Sequence, residues 1–181
     1  MLFFALLSLY LQVKILLFFD PTMSELAKLN FPAIRLRARR RGKQIEVWDE
    51  LRGIWLVLTP EEWVRRHLIS YLTTYCGVHP MRIAQEYAVP LNGQDQRADV
   101  VVVDDTAKPL LLAECKAPHV GIGQEAFAQA VRYNSILEAR YIILTDGIRH
   151  YCHELCNGEY TPLSDFPNLN NTPPDKPTMK Q

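Results

Sequence analysis

The amino-acid sequence predicts an α/β (α+β) domain, and three observations carry this prediction. Two continuous apolar runs within residues 97–118 flank a polar turn, which is typical of a hairpin of buried strands. Two segments, residues 59–75 and 124–139, carry apolar side chains at the three- and four-residue spacing of helices. The apolar run 140–145 follows the second helix, so it should lie parallel to the strand that ends at Lys116.

Length, composition and charge limit the classes of protein that fit. The chain has 181 residues, which suits one domain of ordinary size, and its 48% hydrophobic content is ample for a core. Its 20 basic and 20 acidic residues give a net charge of zero, so any basic surface for nucleic acid must be local. The four cysteines show no disulfide-framework spacing, which favours a reducing cytoplasm.

The first 19 residues are nearly long and apolar enough to span a bilayer. Lys14 interrupts the run, no basic leader precedes it, no cleavage site follows it, and Met23 opens a more ordinary start. We favour the interpretation that residues 1–22 come from an upstream start and are extraneous. The alternatives are a membrane anchor and a helix packed on the domain. We therefore divide the chain into residues 1–22, a domain at 23–164 and a disordered, proline-rich tail at 165–181.

An N-terminal β-hairpin extension is predicted ahead of the first helix. Residues 34–39 and 44–48 alternate with period two, and a third short strand is expected at 54–58. Six of the nine residues in 35–43 are basic. They fit either a phosphate-binding ribbon or a solvated edge strand that discourages aggregation, and we prefer the second interpretation.

The first helix has a clear start signal. Thr59 is a suitable N-cap, Pro60 suits the first helical position, and Glu62 stands three residues after the cap. Glu62 either completes a capping box or reaches the charged end of the hairpin as an accessory metal ligand. On the following strand, residues 83–90, Glu86 either contacts that site or Arg97, or is a plain exposed residue.

The hairpin carries charged residues at its open end. If its turn centres between Thr106 and Ala107, antiparallel pairing places Asp99 opposite Glu114, roughly 5 Å away. Lys116 is two residues beyond Glu114 and so projects from the same face. Two carboxylates this close repel, and burying them is costly unless a cation sits between them. Hard oxygen ligands suit Mg²⁺ or Mn²⁺ rather than zinc.

The second helix supplies two more polar side chains. Gln129 and Tyr133 are four residues apart and share one helix face, next to the apolar face. If this helix packs beside the hairpin, both side chains border the same cleft as Asp99 and Lys116. After the strand at 140–145, residues 149–155 should pair back as another strand.

This ordered set of residues resembles the PD-(D/E)XK nuclease superfamily. More narrowly, it resembles the N-terminal domain of the type I restriction enzyme restriction (R) subunit. The resemblance covers roughly residues 30–155. The matching phrases are residues 58–65, 97–99, 112–118, 133–134 and 145–147. Ala98 stands where the name-giving proline would be, and Asp146 replaces an asparagine often seen there.

The resemblance implies a restriction-endonuclease-like fold, with a central mixed β-sheet flanked by α-helices. It implies that Asp99 and Glu114 bind Mg²⁺ (or Mn²⁺) and that Lys116 positions or activates the attacking water. It implies a supporting role for Glu62 and, for Gln129 and Tyr133, either support of the site or contact with DNA. We also expect Arg65 and Arg97 to contact DNA.

We accordingly expect a Mg²⁺-dependent endonuclease that hydrolyses DNA phosphodiester bonds in the cytoplasm. The expected partners are DNA and the motor or specificity subunits of a restriction system, with no small-molecule cofactor and no membrane. The alternative is a non-catalytic nucleic-acid-binding or accessory module with a nuclease fold that needs a partner.

Overall fold

A small antiparallel sheet precedes the main domain in the computed structural model, which describes residues 26–91, 93–118 and 120–169. Its three strands, paired in chain order, are β1 (Ala38–Arg41), β2 (Gln44–Asp49) and β3 (Ile54–Val57). This sheet is the predicted N-terminal extension. Its first strand begins at Ala38 rather than at Ile34, because pairing with β2 starts only where Ala38 lies opposite Val47.

The main sheet has six strands in chain order, and all neighbours are antiparallel except one pair. The strands are β4 (Ile83–Leu91), β5 (Gln94–Val103), β6 (Pro109–Cys115), β7 (Tyr141–Thr145), β8 (His150–Cys156) and β9 (Glu159–Leu163). The parallel pair is β6 with β7, as expected for strands joined by a crossover helix. The sheet is therefore mixed, and the predicted fold class is confirmed.

The two α-helices of the described residues cover opposite faces of this sheet. Helix α1 (Pro60–Thr74) buries Val64 and Leu68 against the side of the sheet that also carries Cys115. Helix α2 (Gln124–Leu137) packs on the other side, among residues that include Leu112. Within the described residues, neither helix is both long and apolar enough to cross a membrane.

The β5–β6 hairpin has the predicted register. Val100 lies opposite Ala113 and Val102 lies opposite Leu111, so the pairing places Asp99 and Glu114 next to each other at the open end. A register shift after Val102 accommodates the turn, and this irregularity lies at the far end from the charged residues.

Two features of the C-terminal part differ from the predictions. Strand β9 was not predicted; it pairs with β8 and extends the sheet by one edge strand. Residues 165–169, predicted to be disordered, instead pack on the core, where Leu169 is only 2% exposed. The remainder of the predicted tail and the apolar N-terminal segment, residues 1–22, lie outside the described residues.

Candidate active site

Asp99 on β5 and Glu114 on β6 lie at the edge of the sheet that the hairpin leaves open. Both are buried, at 8% and 3% exposure. The backbone N–H of Cys115 donates to Oδ2 of Asp99 at 2.7 Å, which joins the two strands through the carboxylate itself. The sequence prediction that these acids converge is therefore realised by the strand pairing.

Arg65 on helix α1 is the main cation of this cluster. Its Nη2 donates to Oδ1 of Asp99 at 2.6 Å, and its Nη1 forms ion pairs with Glu62 at 2.9 Å and Glu86 at 2.6 Å. Arg65 is 7% exposed, so its guanidinium is taken up by three carboxylates inside the protein. Contact of Arg65 with DNA stays a prediction; in this structure its guanidinium is engaged by the three carboxylates. Of the alternatives predicted for Glu86, its contacts match the one at the charged site, because its carboxylate pairs with the same Arg65 that holds Asp99.

Glu62 takes neither of its two predicted positions. The side chain of Thr59 does cap α1, by accepting from the backbone N–H of Glu62 at 3.0 Å. The carboxylate of Glu62, however, pairs with Arg65 and, at 2.7 Å, with Arg66, while the Thr59 N–H donates to a different group, the carbonyl of Val57. Glu62 therefore reaches Asp99 only through Arg65.

A buried carboxylate oxygen in the cluster has no partner. Oε1 of Glu114 accepts no hydrogen bond from any described residue, although the side chain is inside the protein. Burial and the nearby charge of Asp99 raise the pKa of Glu114 to about 8, and the charge of Lys116 offsets part of that shift. Glu114 is thus the acid in this cluster that would gain most from a cation.

Glu61 faces the same cluster and was missed by the sequence analysis. Burial and the negative charge of Asp99 raise its pKa, and the charges of Lys116 and Arg65 oppose that shift. Glu61 in turn raises the pKa of Glu114. The cap at Thr59 was correctly predicted, but the helical position that faces the sheet could be known only from how α1 packs.

Lys116 directly follows β6 and is half-buried. Its backbone N–H donates to the carbonyl of Thr145 at 2.8 Å, which continues the parallel pairing of β6 and β7 past Cys115. Its side chain forms no ion pair or hydrogen bond with any residue that the structure describes. It lines a cleft of about 870 Å³ together with Gln129 on α2, so its amine remains available to a ligand.

Gln129 and Tyr133 form a hydrogen-bonded chain to β5. The amide of Gln129 donates to the Tyr133 hydroxyl at 2.9 Å, and that hydroxyl donates to Oε1 of Gln96 at 3.2 Å. Tyr133 is 4% exposed and belongs to the core under α2. The supporting role that the sequence predicts for this pair stays a prediction, and the contacts are those of residues that fix α2 against the sheet.

Arg97 is exposed and borders the site from β5. It lines a second cleft, of about 510 Å³, whose other walls come from β3, the start of α1 and β4. Residues of the acidic cluster, among them Glu61 and Glu86, line the same cleft. Contact of Arg97 with DNA stays a prediction that its position allows.

The carboxylate oxygens of Asp99 and Glu114 suit Mg²⁺ better than a cation that takes all of its ligands from the protein. Mg²⁺ is commonly held by one or two carboxylates and keeps several waters. Asp99 and Glu114 supply two carboxylates, and the unpartnered Oε1 of Glu114 is a free oxygen donor. In the described part of the chain, no three His, Cys, Asp or Glu side chains form a ready-made metal cage.

Comparison with known proteins identifies the family. Residues 60–167, more than half of the chain, match the family model described as type I restriction enzyme R protein N terminus (HSDR_N). The chain belongs to this family. The match begins at Pro60 and includes α1, the β5–β6 hairpin, α2 and every strand to β9, so the R-protein N-terminal domain contains the whole acidic cluster. Strands β1 to β3 precede the matched range.

Among solved structures, the chain is similar to a fragment described as an HsdR subunit of a type I restriction enzyme from Vibrio vulnificus YJ016. The identity is 23% and the TM-score 0.48, over 61% of this chain and 24% of that one. The chain thus spans about a quarter of the length of that fragment. No curated protein matches the chain.

Proposed function

We propose that this R-protein N-terminal domain is a Mg²⁺-dependent endonuclease that hydrolyses DNA phosphodiester bonds. The observation that carries the proposal is the buried pair of Asp99 and Glu114, with an unpartnered oxygen on Glu114 and an available amine on Lys116 nearby. In this proposal the domain acts in a restriction system, together with motor or specificity subunits.

Asp99 and Glu114 would hold the metal, which when bound would activate a water and neutralise charge on the phosphodiester. The other residues act on these two acids or on the substrate. Arg65 and the Cys115 N–H fix the carboxylate of Asp99 by one bond to each oxygen. Lys116 would offset the negative charge that develops on the phosphate during attack.

The protonation state of Glu114 links metal binding to pH. With its pKa at about 8, Glu114 holds a proton at neutral pH in the metal-free protein. A divalent cation would displace this proton, because a ligand carboxylate must be ionised. Metal binding is therefore expected to release protons and to strengthen as pH rises toward 8.

A second candidate function is a non-catalytic nucleic-acid-binding or accessory module that needs a partner. One observation favours it: both oxygens of Asp99 are already engaged, Oδ1 by Arg65 and Oδ2 by Cys115. An acid with both oxygens occupied by protein donors is a poorer metal ligand unless a lone pair is shared or Arg65 moves.

The two candidates are separated by metal binding and cleavage measured on the same preparations. Purified wild type, Asp99→Ala and Lys116→Ala would be incubated with supercoiled plasmid and Mg²⁺ or Mn²⁺, and Mn²⁺ binding would be measured by calorimetry. We expect cleavage only by the wild type, loss of Mn²⁺ binding in Asp99→Ala, and retained Mn²⁺ binding in Lys116→Ala. Equal cleavage by all three would indicate contamination. Absence of both cleavage and Mn²⁺ binding in the wild type would favour the accessory module.

A further inference from the structure

The three-stranded sheet of β1 to β3 concentrates basic charge in a neutral chain. Residues 33–57 contain seven Lys or Arg and three Asp or Glu, a net charge of +4, whereas the whole chain has a net charge of zero. This sheet lies before the residues matched by the family model, which begin at Pro60. Its charge is therefore a feature of this chain that the family match does not explain.

Strand alternation divides the sheet into a packed face and an outer face. Val47 is fully buried and lies opposite Ala38, so this side of the sheet packs on the protein. The opposite side carries Arg37, Arg39 and Arg41, which follow one another at intervals of two along and just before β1. Three arginines thus form a row on the outer face.

Two tryptophans on the same outer face hold part of this row in place. Trp48 and Trp55 lie opposite each other on β2 and β3, with ring centroids 5.4 Å apart. The guanidinium of Arg37 lies 5.4 Å and 5.3 Å from the two ring centroids, and that of Arg39 lies 4.1 Å from the Trp55 ring. Stacking on an aromatic ring uses the flat face of a guanidinium and leaves its N–H edge for an acceptor.

Glu46 is the acid that pairs with this row, and it does not remove the positive charge. It pairs with Arg39 at 2.6 Å and more loosely with Arg41 at 3.4 Å. The Arg39 and Arg41 side chains are still 44% and 76% exposed, whereas that of Glu46 is 7% exposed. One mostly buried carboxylate thus pairs with two guanidiniums that remain largely exposed to solvent. A solvated edge strand with no ligand requires neither stacked tryptophans nor this ordering.

The position of the sheet suits a ligand that also enters the candidate active site. Leu56 and Val57 on β3 line the cleft of about 510 Å³ that contains Glu61, Arg65 and Arg97. Neighbouring strands are roughly 5 Å apart, so β1 lies about 10 Å from β3. One face of a DNA duplex is wide enough to reach from this cleft across the small sheet.

We infer that the arginine row on β1, formed by Arg37, Arg39 and Arg41, binds the phosphate backbone of duplex DNA. The inference rests on the proposed function for its choice of ligand. Phosphate contacts of this kind position the duplex without reading its sequence. Bidentate, planar arginine donors on a rigid strand suit phosphate oxygens.

The test measures DNA binding without cleavage, so that it does not depend on a working metal site. A fluorescein-labelled 20-base-pair duplex would be titrated with full-length protein in EDTA at several salt concentrations. The variants would be Arg41→Gln, Arg41→Glu and Arg39→Gln/Arg41→Gln, because the Arg41 side chain is 76% exposed, against 44% for Arg39. The matched control is Lys108→Gln, an exposed cation in the turn at the far end of the β5–β6 hairpin.

We expect Arg41→Gln to weaken binding several-fold and the double variant to weaken it about tenfold or more. The slope of log affinity against log salt should fall by about one for each phosphate contact that is lost. Lys108→Gln should bind like the wild type. The inference is overturned if Arg41→Glu binds like the wild type, if Lys108→Gln loses as much affinity, or if the wild type binds no duplex at low salt. A protein that binds through β1 but never cleaves would refute the proposed catalytic function and leave this inference standing.

Discussion

Arg65 and Asp99 form a buried ion pair that joins helix α1 to strand β5, with Nη2 of Arg65 2.6 Å from Oδ1 of Asp99. The same guanidinium pairs with Glu62 in its own helix and with Glu86 on β4. Three elements of the fold therefore meet at one cation. This arrangement gives Arg65 a role in positioning the acids of the candidate site.

Replacing Arg65 by methionine should destabilise the protein. Methionine keeps much of the length of the side chain but leaves three carboxylates without their shared cation. Removing one partner of a buried ion pair typically costs about 3–5 kcal/mol. We expect a loss in this range in the free energy of unfolding, measured by urea denaturation.

The matched control for Arg65→Met is Arg132→Met on the exposed side of α2. This substitution should change the free energy of unfolding by less than about 0.5 kcal/mol, as is usual at surface sites. Equal losses in the two variants would show that the ion pairs of Arg65 make no net contribution to the free energy of unfolding.

Glu61 and Glu62 are adjacent in sequence but should respond to substitution in opposite ways. Glu62 pairs with Arg65 and Arg66, so Glu62→Gln should lower the free energy of unfolding by about 2–4 kcal/mol. Glu61 faces Asp99 and Lys116, and its burial in the cluster raises its pKa. Glu61→Gln should therefore leave stability unchanged or increase it.

Divalent-cation binding provides the second measurement on this pair. If the cluster binds a metal, Glu61→Gln should weaken Mn²⁺ binding in calorimetry, because one negative charge near Asp99 and Glu114 is removed. Glu62→Gln should weaken Mn²⁺ binding less than Glu61→Gln does, because Glu62 reaches Asp99 only through Arg65. A reversed pattern, with Glu61→Gln unfolding the protein, would mean that Glu61 is a structural residue.

The stability of the metal-free protein should fall as pH rises, because of Glu114. Its pKa in the folded protein is about 8 against an ordinary value of 4.5, so the folded chain retains a proton that the unfolded chain releases. The free energy of unfolding should therefore decrease between about pH 4.5 and pH 8. Glu61, whose pKa is also raised by burial, acts in the same direction.

Glu114→Gln isolates the contribution of this one acid. Glutamine resembles the protonated acid, so the two proteins should have similar stability at pH 5 in EDTA. At pH 9 the variant should be more stable than the wild type by roughly 2–4 kcal/mol. Glu125→Gln, at an exposed position on α2, should keep the pH dependence of the wild type. A wild type and Glu114→Gln with parallel pH profiles would mean that Glu114 is not buried as described.

The hairpin was the part of the site that could be predicted from sequence. Its two apolar runs and single turn allow little choice of register, and the observed pairing of Val100 with Ala113 is the predicted one. The convergence of Asp99 and Glu114 follows from that register alone. Local pattern was sufficient because both residues lie on adjacent strands of one hairpin.

The contribution of helix α1 could not be predicted in the same way. The sequence indicated the N-cap at Thr59, but both Glu61 and Glu62 follow it, and only the packing of the helix decides which of them faces the sheet. The ion pairs of Arg65 depend on β4 and β5, 21 and 34 residues away in the chain. A charged residue within an amphipathic helix is usually read as exposed, whereas Arg65 is buried because three acids surround it.

The segment before the small sheet, at Leu29 and Asn30, packs against the main domain at Gly147. Gly147 has a φ of +80°, and a Cβ at this position would lie 2.7 Å from Cδ2 of Leu29. The Asn30 backbone N–H also donates to the Gly147 carbonyl at 2.7 Å. Gly147→Ala should therefore suffer both backbone strain and a clash with Leu29.

Gly158→Ala separates the two costs. Gly158 has nearly the same φ, +83°, but among the described residues no atom other than those of its two chain neighbours lies within 4 Å of its added Cβ. We expect Gly158→Ala to cost about 1 kcal/mol from backbone strain and Gly147→Ala to cost about 2–4 kcal/mol in urea denaturation. The excess should shrink, without vanishing, when Gly147→Ala is combined with Leu29→Ala, which removes both Cδ atoms of Leu29 but leaves Cγ2 of Val64 3.1 Å from the new Cβ. Strictly additive losses in that double-mutant cycle would mean that Leu29 does not pack against Gly147 in solution.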